Sequence, residues 1–272
     1  MGLLKKRTPW EQAFREVWQQ EQDFLQKYEI PSESLLDRTL THAVPEKLMG
    51  TLQGAFVKAF GVVFEKGSHG IAKVGNQENR CQIFQVNQYA VDLQENRKNL
   101  RAFSRAANRS GMGNTLICGG TGISMGLLGI ALPDVPLLSA MLLKCVYETA
   151  ESFGFDHQSE LERVFVLRVI ETALSDGTVL REQNRILEHF SQTETWLEAV
   201  DLPKQLERTA KRVAETLICG KFLQGIPVVG VLGGAEDVLC LRRVQRYATI
   251  QYQKRFLIQR RLKTLENKGK RE

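Results

Sequence analysis

The chain is short of the residues and spacings that metal, redox and nucleotide sites require. Its four histidines, His42, His69, His157 and His189, form no i, i+4 pair, and no Cys-x-x-Cys occurs, so neither a metal nor a cofactor is expected. The five cysteines, Cys81, Cys118, Cys145, Cys219 and Cys240, are odd in number, far apart and mostly inside apolar runs, which points to a reducing compartment. Cys118 and Cys219 read as core packers, because apolar burial raises a thiol's pKa. A secretory leader is also missing: Met1 to Arg7 is basic, but Trp10, Glu11 and Arg15 stand where an apolar h-region would follow. The expectation is a protein that stays inside the cell.

The most conspicuous absence is local. From Gly111 to Pro133 the chain contains no ionisable charge, and the stretch carries seven glycines. That length would nominally cross a bilayer, but so many glycines suit a spanning helix poorly. A buried or re-entrant helical hairpin fits better. With no lysine in the run, a Walker loop is excluded. Gly120, Gly122 and Gly126 approximate a dinucleotide fingerprint without the βαβ unit it needs.

What is present argues for helices. A content of 43% hydrophobic residues in 272 is ample for a core. Thr8, Pro9 and Glu11 spell a capping box for a helix that carries Trp10, Phe14, Val17, Phe24 and Tyr28 near one face. Pro45 opens a second helix with Leu48, Leu52, Phe56, Phe60 and Val63 as its stripe, Gly50 and Gly54 as points of close helix approach, and Gly67 as its end. Asn79 to Asn108 reads as one long charged helix, and Leu137 to Phe153 and Leu161 to Leu174 as core helices, the latter ending at Ser175, Asp176 and Gly177. Further helices are expected over Val179 to Phe190 and Pro203 to Ile218.

A second apolar run, Gly220 to Leu239, introduces the C-terminal helix, and both runs start with Thr-Leu-Ile-Cys-Gly, at Thr115 and Thr216. Internal duplication and chance likeness between two hydrophobic helices both account for five shared residues. The glycines Gly119, Gly120, Gly122, Gly126 and Gly129 in the first run, and Gly225, Gly230, Gly233 and Gly234 in the second, are the candidate hairpin positions.

Charge is distributed unevenly. Between Arg242 and Glu272 eleven bases face two acids, so this arm carries +9 of a chain total of +6 and leaves the body at −3. Such an arm is either a solvated tail or a site for an anionic partner. Arg242, Arg243, Arg246, Lys254, Arg255, Arg260, Arg261 and Lys263 are the candidate anion- or membrane-binding residues, with Tyr247, Ile250, Phe256 and Leu257 as an inserting face. Specific nucleic-acid binding is not expected, since no stacking platform accompanies the charge.

Catalytic signals are few. Gly122, Ile123, Ser124, Met125 and Gly126 match a nucleophile elbow, with His157 and His189 as the available bases, but an elbow belongs on a sheet and its surroundings read as helices. Asp134, between Pro133 and Pro136, interrupts a long apolar region; it reads as a helix cap or as a polar functional site.

The succession GLLGIALPDVPLL (Gly126 to Leu138), ESFGFDHQSELERVFVLRVIETALSDG (Glu151 to Gly177) and GIPVVGVLGGAEDVLCLRRVQRYA (Gly225 to Ala248) resembles the EcsC family of bacterial proteins, over nearly the whole chain and including the Lys66, Gly67, Ser68 step. Phe153 stands where that family usually has tyrosine before Gly-Phe-Asp, so no role that needs the hydroxyl carries over. The resemblance implies a bacterial, Gram-positive source and, in some members, a genetic neighbourhood beside an ABC transporter. It transfers no catalytic residue.

These readings combine into one all-α domain over 1–272, a multi-helix bundle with two glycine-rich apolar helical hairpins: amphipathic helices in 1–110, the apolar core in 111–240, a basic helix and tail in 241–272. The expected function is non-enzymatic and peripheral, on an anionic phospholipid surface or a membrane protein complex such as an ABC transporter, at the inner face of the plasma membrane. The alternatives are a membrane-proximal serine hydrolase acting through Ser124 and an adaptor for a transport or secretion complex.

Overall fold

The structure, a computed structural model, describes residues 7–30, 46–74, 77–109, 134–223 and 235–269. Among them it contains α1 (Pro9–Lys27), α2 (Glu46–Val74), α3 (Gln77–Leu93), α4 (97–109), α5 (Asp134–Ser152), α6 (Glu160–Ala173), α7 (Gly177–Thr193), α8 (Leu202–Leu223) and α9 (Ala235–Gly269), and no strand. The fold is all-α, as the periodicity predicts. Ser124 and the nine hairpin glycines lie outside the described residues. Asp134 is the first residue of α5.

Local rules account for most of the boundaries. Thr8 accepts a hydrogen bond from the Glu11 amide while the Glu11 carboxylate accepts one from the Thr8 amide, which is the expected capping box. Ser159 caps α6 by accepting from the Glu162 amide. Two expectations fail. The helix begun near Pro45 does not stop at Gly67 but runs to Val74, because a mid-helix glycine costs only about 1 kcal/mol against alanine. Gly50 and Gly54 are not close-approach points either, since an added Cβ would meet nothing within 4 Å.

The expected long helix over Asn79 to Asn108 is two helices, broken at residues 94–96. Asn96 accepts from the Asn99 amide at 2.9 Å, starting α4, and the Asn99 side chain donates to the carbonyls of Ala90 and Gln94, closing α3. Asparagine offers the backbone such alternatives to a continuous ladder. The break lets α3 pack on α5 while α4 lies along α9.

Helix α9 is the spine of the bundle and packs against α1, α5, α6, α7 and α8. Tyr247, Ile250, Tyr252, Phe256 and Leu257 are all buried in it, and every helix adds side chains to the one hydrophobic cluster around them. Aromatic contacts tie the layers: Phe103 of α4 sits 4.5 Å from Phe256, and Phe24 of α1 sits 4.8 Å from Tyr247. Phe153 belongs to this cluster at 6.3 Å from Phe103.

Cross-contacts give the directions. Trp10 donates to the Leu257 carbonyl and Phe24 faces Tyr247, so α1 runs antiparallel to α9. Ala107 and Asn108 meet Gln245 and Thr249 while Phe103 meets Phe256, so α4 is also antiparallel. Cys145 meets Gln245 and Phe153 meets Phe256, so α5 is parallel to α9. The end of α4 and the starts of α5 and α9 therefore share one end of the bundle. Those are three of the four described ends that border the two glycine-rich runs.

Candidate functional site

The basic arm is divided by the fold into buried and exposed cations, which corrects the expectation of a uniformly superficial helix. Lys254 is 1% exposed, with its ammonium 2.7 Å from Glu21 and 3.0 Å from Glu188. Arg255 is 6% exposed, 2.6 Å from Glu162 and over the rings of Phe155, Phe165 and Phe190. Neither can reach a headgroup. The supposed inserting face of Tyr247, Ile250, Phe256 and Leu257 is core, because helices surround α9 on that side. Arg243 is committed to Asp176 and to the Tyr28 ring, Arg260 to Asp92 and Glu95, and Arg261 lies over Trp10. Arg242, Arg246 and Lys263 remain exposed.

The stronger cationic surface lies on α4, where sequence reasoning did not place one. Arg97, Lys98, Arg101, Arg105 and Arg109 supply five bases in thirteen residues without an acid, and all five are exposed. The signal is legible as a charge run of one sign within the stretch expected to form one long charged helix. With Glu16, Gln20, Ser104, Asn108, Thr249 and Gln253 four of these bases line a groove of about 630 Å³ between α1, α4 and α9. Arg97 and Arg101 both pair with Glu16. Arg105 donates to the carbonyls of Arg101 and Lys98, and neither Arg105 nor Lys98 meets a carboxylate among the described residues. On the groove wall Gln253 is 6% exposed, and its amide makes no hydrogen bond among those residues. The groove thus holds donors in excess over acceptors, an arrangement suited to an oxoanion.

A second polar cluster lies behind α5. Arg80 bridges Glu151 at 2.6 Å and Glu148 at 3.0 Å, and Lys144 reaches Glu148 at 3.0 Å. His157 is buried, stacked 4.1 Å from Tyr147, with Nδ1 3.8 Å from Glu151, too far for a hydrogen bond. Burial lowers the His157 pKa from its ordinary 6.5, with Asp156 opposing and Arg163 and Arg80 assisting. Burial also holds the Glu151 carboxyl up, against the pull of Arg80. A base whose folded pKa lies below its unfolded value contributes stability above the unfolded pKa that is lost as pH falls through the folded one. Glu151, shifted upward, works in the opposite sense, so a variant must isolate the histidine. Denaturation between about pH 7 and pH 5 should show wild type losing stability more steeply than His157→Gln. Parallel curves would show that the imidazole is hydrated.

His189 lies on the exposed face of α7, with Nδ1 3.2 Å from the Thr195 carbonyl. It and His157, the two bases that a Ser124 nucleophile would call on, thus occupy different surroundings. Cys145 is buried, and its thiol is pushed upward first by burial and then by Glu148, which makes it inert. No group of metal-ligating side chains occurs among the described residues, and no described helix is long and apolar enough to cross a membrane.

The family model described as EcsC protein family matches residues 11–257. The uncharacterized protein YdbA of Bacillus subtilis (strain 168) is similar at 23% identity over 263 residues, covering 94% of this chain and 92% of YdbA. Protein EcsC of the same organism is 28% identical over 71 residues, 26% of this chain and 30% of that protein. No solved structure matches.

Proposed function

The chain belongs to the EcsC protein family, and on that premise we propose that it is a non-enzymatic helical protein that docks peripherally on an anionic phospholipid surface, in a bacterium the inner face of the plasma membrane. The observation that carries this reading is the acid-free row of exposed bases on α4, whose last residue, Arg109, is separated by one residue from the charge-free stretch from Gly111 to Pro133. Cations flanking an apolar segment suit an anionic interface: each base near the surface contributes about 1 kcal/mol, and apolar side chains add burial. Arg242 and Arg246, exposed near the start of α9, stand at the same end of the bundle as Arg109.

Flotation with phosphatidylcholine vesicles, with and without phosphatidylglycerol, tests the reading. The protein should float with the anionic vesicles at low salt and be released at high salt. Replacing Lys98, Arg105 and Arg109 together by alanine should weaken binding by about 3 kcal/mol, roughly 100-fold, without loss of fold, since all three are exposed. Indifference to anionic vesicles, or equal binding by the triple variant, would remove lipid docking. Crosslinks to a transporter complex without flotation would put an adaptor in its place.

A further inference from the structure

Three lysine or arginine side chains among the described residues are more than nine-tenths buried: Lys254, Arg255 and Arg168. The first two are held by carboxylates at 2.7 Å and 2.6 Å. Arg168 is not. Its Nη1 lies 3.4 Å from the Gln183 amide oxygen, its Nη2 4.0 Å from Glu198, and its Nε meets no partner among the described residues. Glu198 is itself 74% exposed in its side chain, so it is a weak counterion at the limit of contact. A buried guanidinium left this way is costly, and proteins ordinarily match it with an anion.

Arg168 borders a cavity of about 280 Å³ between α6, the segment 194–201 and the start of α8, with Trp196, Lys204, Gln205 and Arg208 in its wall. The Trp196 indole Nε1 is also buried without a partner among the described residues, and the Arg168 guanidinium stands 4.9 Å over that ring. Both of these nitrogens are closed off from solvent, so the Arg168 group left to meet the cavity is Nη2, which holds only the long contact to Glu198. Lys204 is exposed at its rim, and Arg208 reaches in while bonded to Glu171 at 3.2 Å. Of the acids, Glu171 is engaged by Gln205 and Arg208, Asp201 accepts from the Lys204 amide, and the largely exposed Glu198 is left beside Arg168.

We propose that this cavity is a binding site for a small oxoanion, a phosphate or carboxylate group, seated on the Arg168 guanidinium beside the Trp196 ring, with Lys204 at the entrance and Glu198 as the competing carboxylate. The site lies apart from the α4 groove, whose walls are α1, α4 and α9, so it does not depend on membrane docking.

Trp196 is its own reporter once Trp10 and Trp18 are replaced by phenylalanine. In that full-length background, inorganic phosphate, glycerol phosphate and acetate are titrated against chloride at constant ionic strength, and anionic vesicles are added as a separate arm. A saturable change in Trp196 emission with a soluble oxoanion but not with chloride is expected. A response to vesicles alone would overturn the soluble ligand. Arg168→Gln should weaken binding by about tenfold or more, Lys204→Ala by several-fold, and Glu198→Gln should tighten it by about threefold. The two exposed substitutions keep the test decisive if Arg168→Gln does not fold. The Lys98, Arg105, Arg109 triple variant should respond like wild type. Equal response to chloride, no saturation, or weakening by Glu198→Gln would overturn the site.

Discussion

Lys254→Ala should cost the fold about 3–5 kcal/mol, measured by urea denaturation, although it removes a residue that composition would place on a solvated tail. The ammonium is enclosed with Glu21, which is 1% exposed and, among the described residues, otherwise accepts only from the Gln251 amide at 3.1 Å. Removing the cation strands that carboxylate in the core, and the loss measures its desolvation more than the strength of the pair. Replacing both partners, as in Lys254→Met with Glu21→Leu, should therefore recover most of the loss, because no unpaired charge then remains. Glu188, the second carboxylate on Lys254, keeps 40% of its side chain in water and tolerates the change. A loss below about 1 kcal/mol for Lys254→Ala would mean that α9 is solvated there and that the spine arrangement is wrong.

Gly154→Ala should destabilise by roughly 2–4 kcal/mol, unusually large for adding one methyl group. Gly154 turns the chain out of α5 with φ +80°, a conformation that side chains rarely adopt. An added Cβ would stand 2.3 Å from Phe84 Cζ and within 2.7 Å of both Cε atoms. Swinging the half-buried ring away would give up its packing 5.6 Å from Phe103, which in turn packs on Phe256. Backbone strain and collision are separable. In Phe84→Ala the same glycine substitution should cost only the strain, about 1 kcal/mol or slightly more. If the cost is unchanged in that background, α3 does not rest on this turn.

Boundaries that depend on neighbouring residues were readable from the chain. The box at Thr8 and Glu11, the cap at Ser159 and the turn at Asp176 and Gly177 each involve groups a few residues apart, so their chemistry is present in the string. The break at Asn96 is equally local, but the hydrophobic spacing on either side continues nearly in phase and hides it. Gly67 marks the opposite case: a residue that permits a stop does not impose one, since its cost inside a helix is only about 1 kcal/mol.

The candidate site divides along the same line. Its bases on α4 could be counted as an acid-free run, whereas the fate of the C-terminal bases could not. Charge and spacing present Lys254, Arg255 and Arg260 alike. Glu21 and Glu162 lie more than ninety positions before their partners, and no periodicity links them.

By itself the sequence determined that this is an all-helical chain, where most of its helices begin, and which family it joins, since caps, turns and apolar stripes act over one or two helical turns. Only the tertiary structure decided that the basic C-terminal helix is the spine and not a surface arm. Burying a charge is favourable only when a carboxylate from a distant helix arrives beside it, and that meeting is a property of the packed chain.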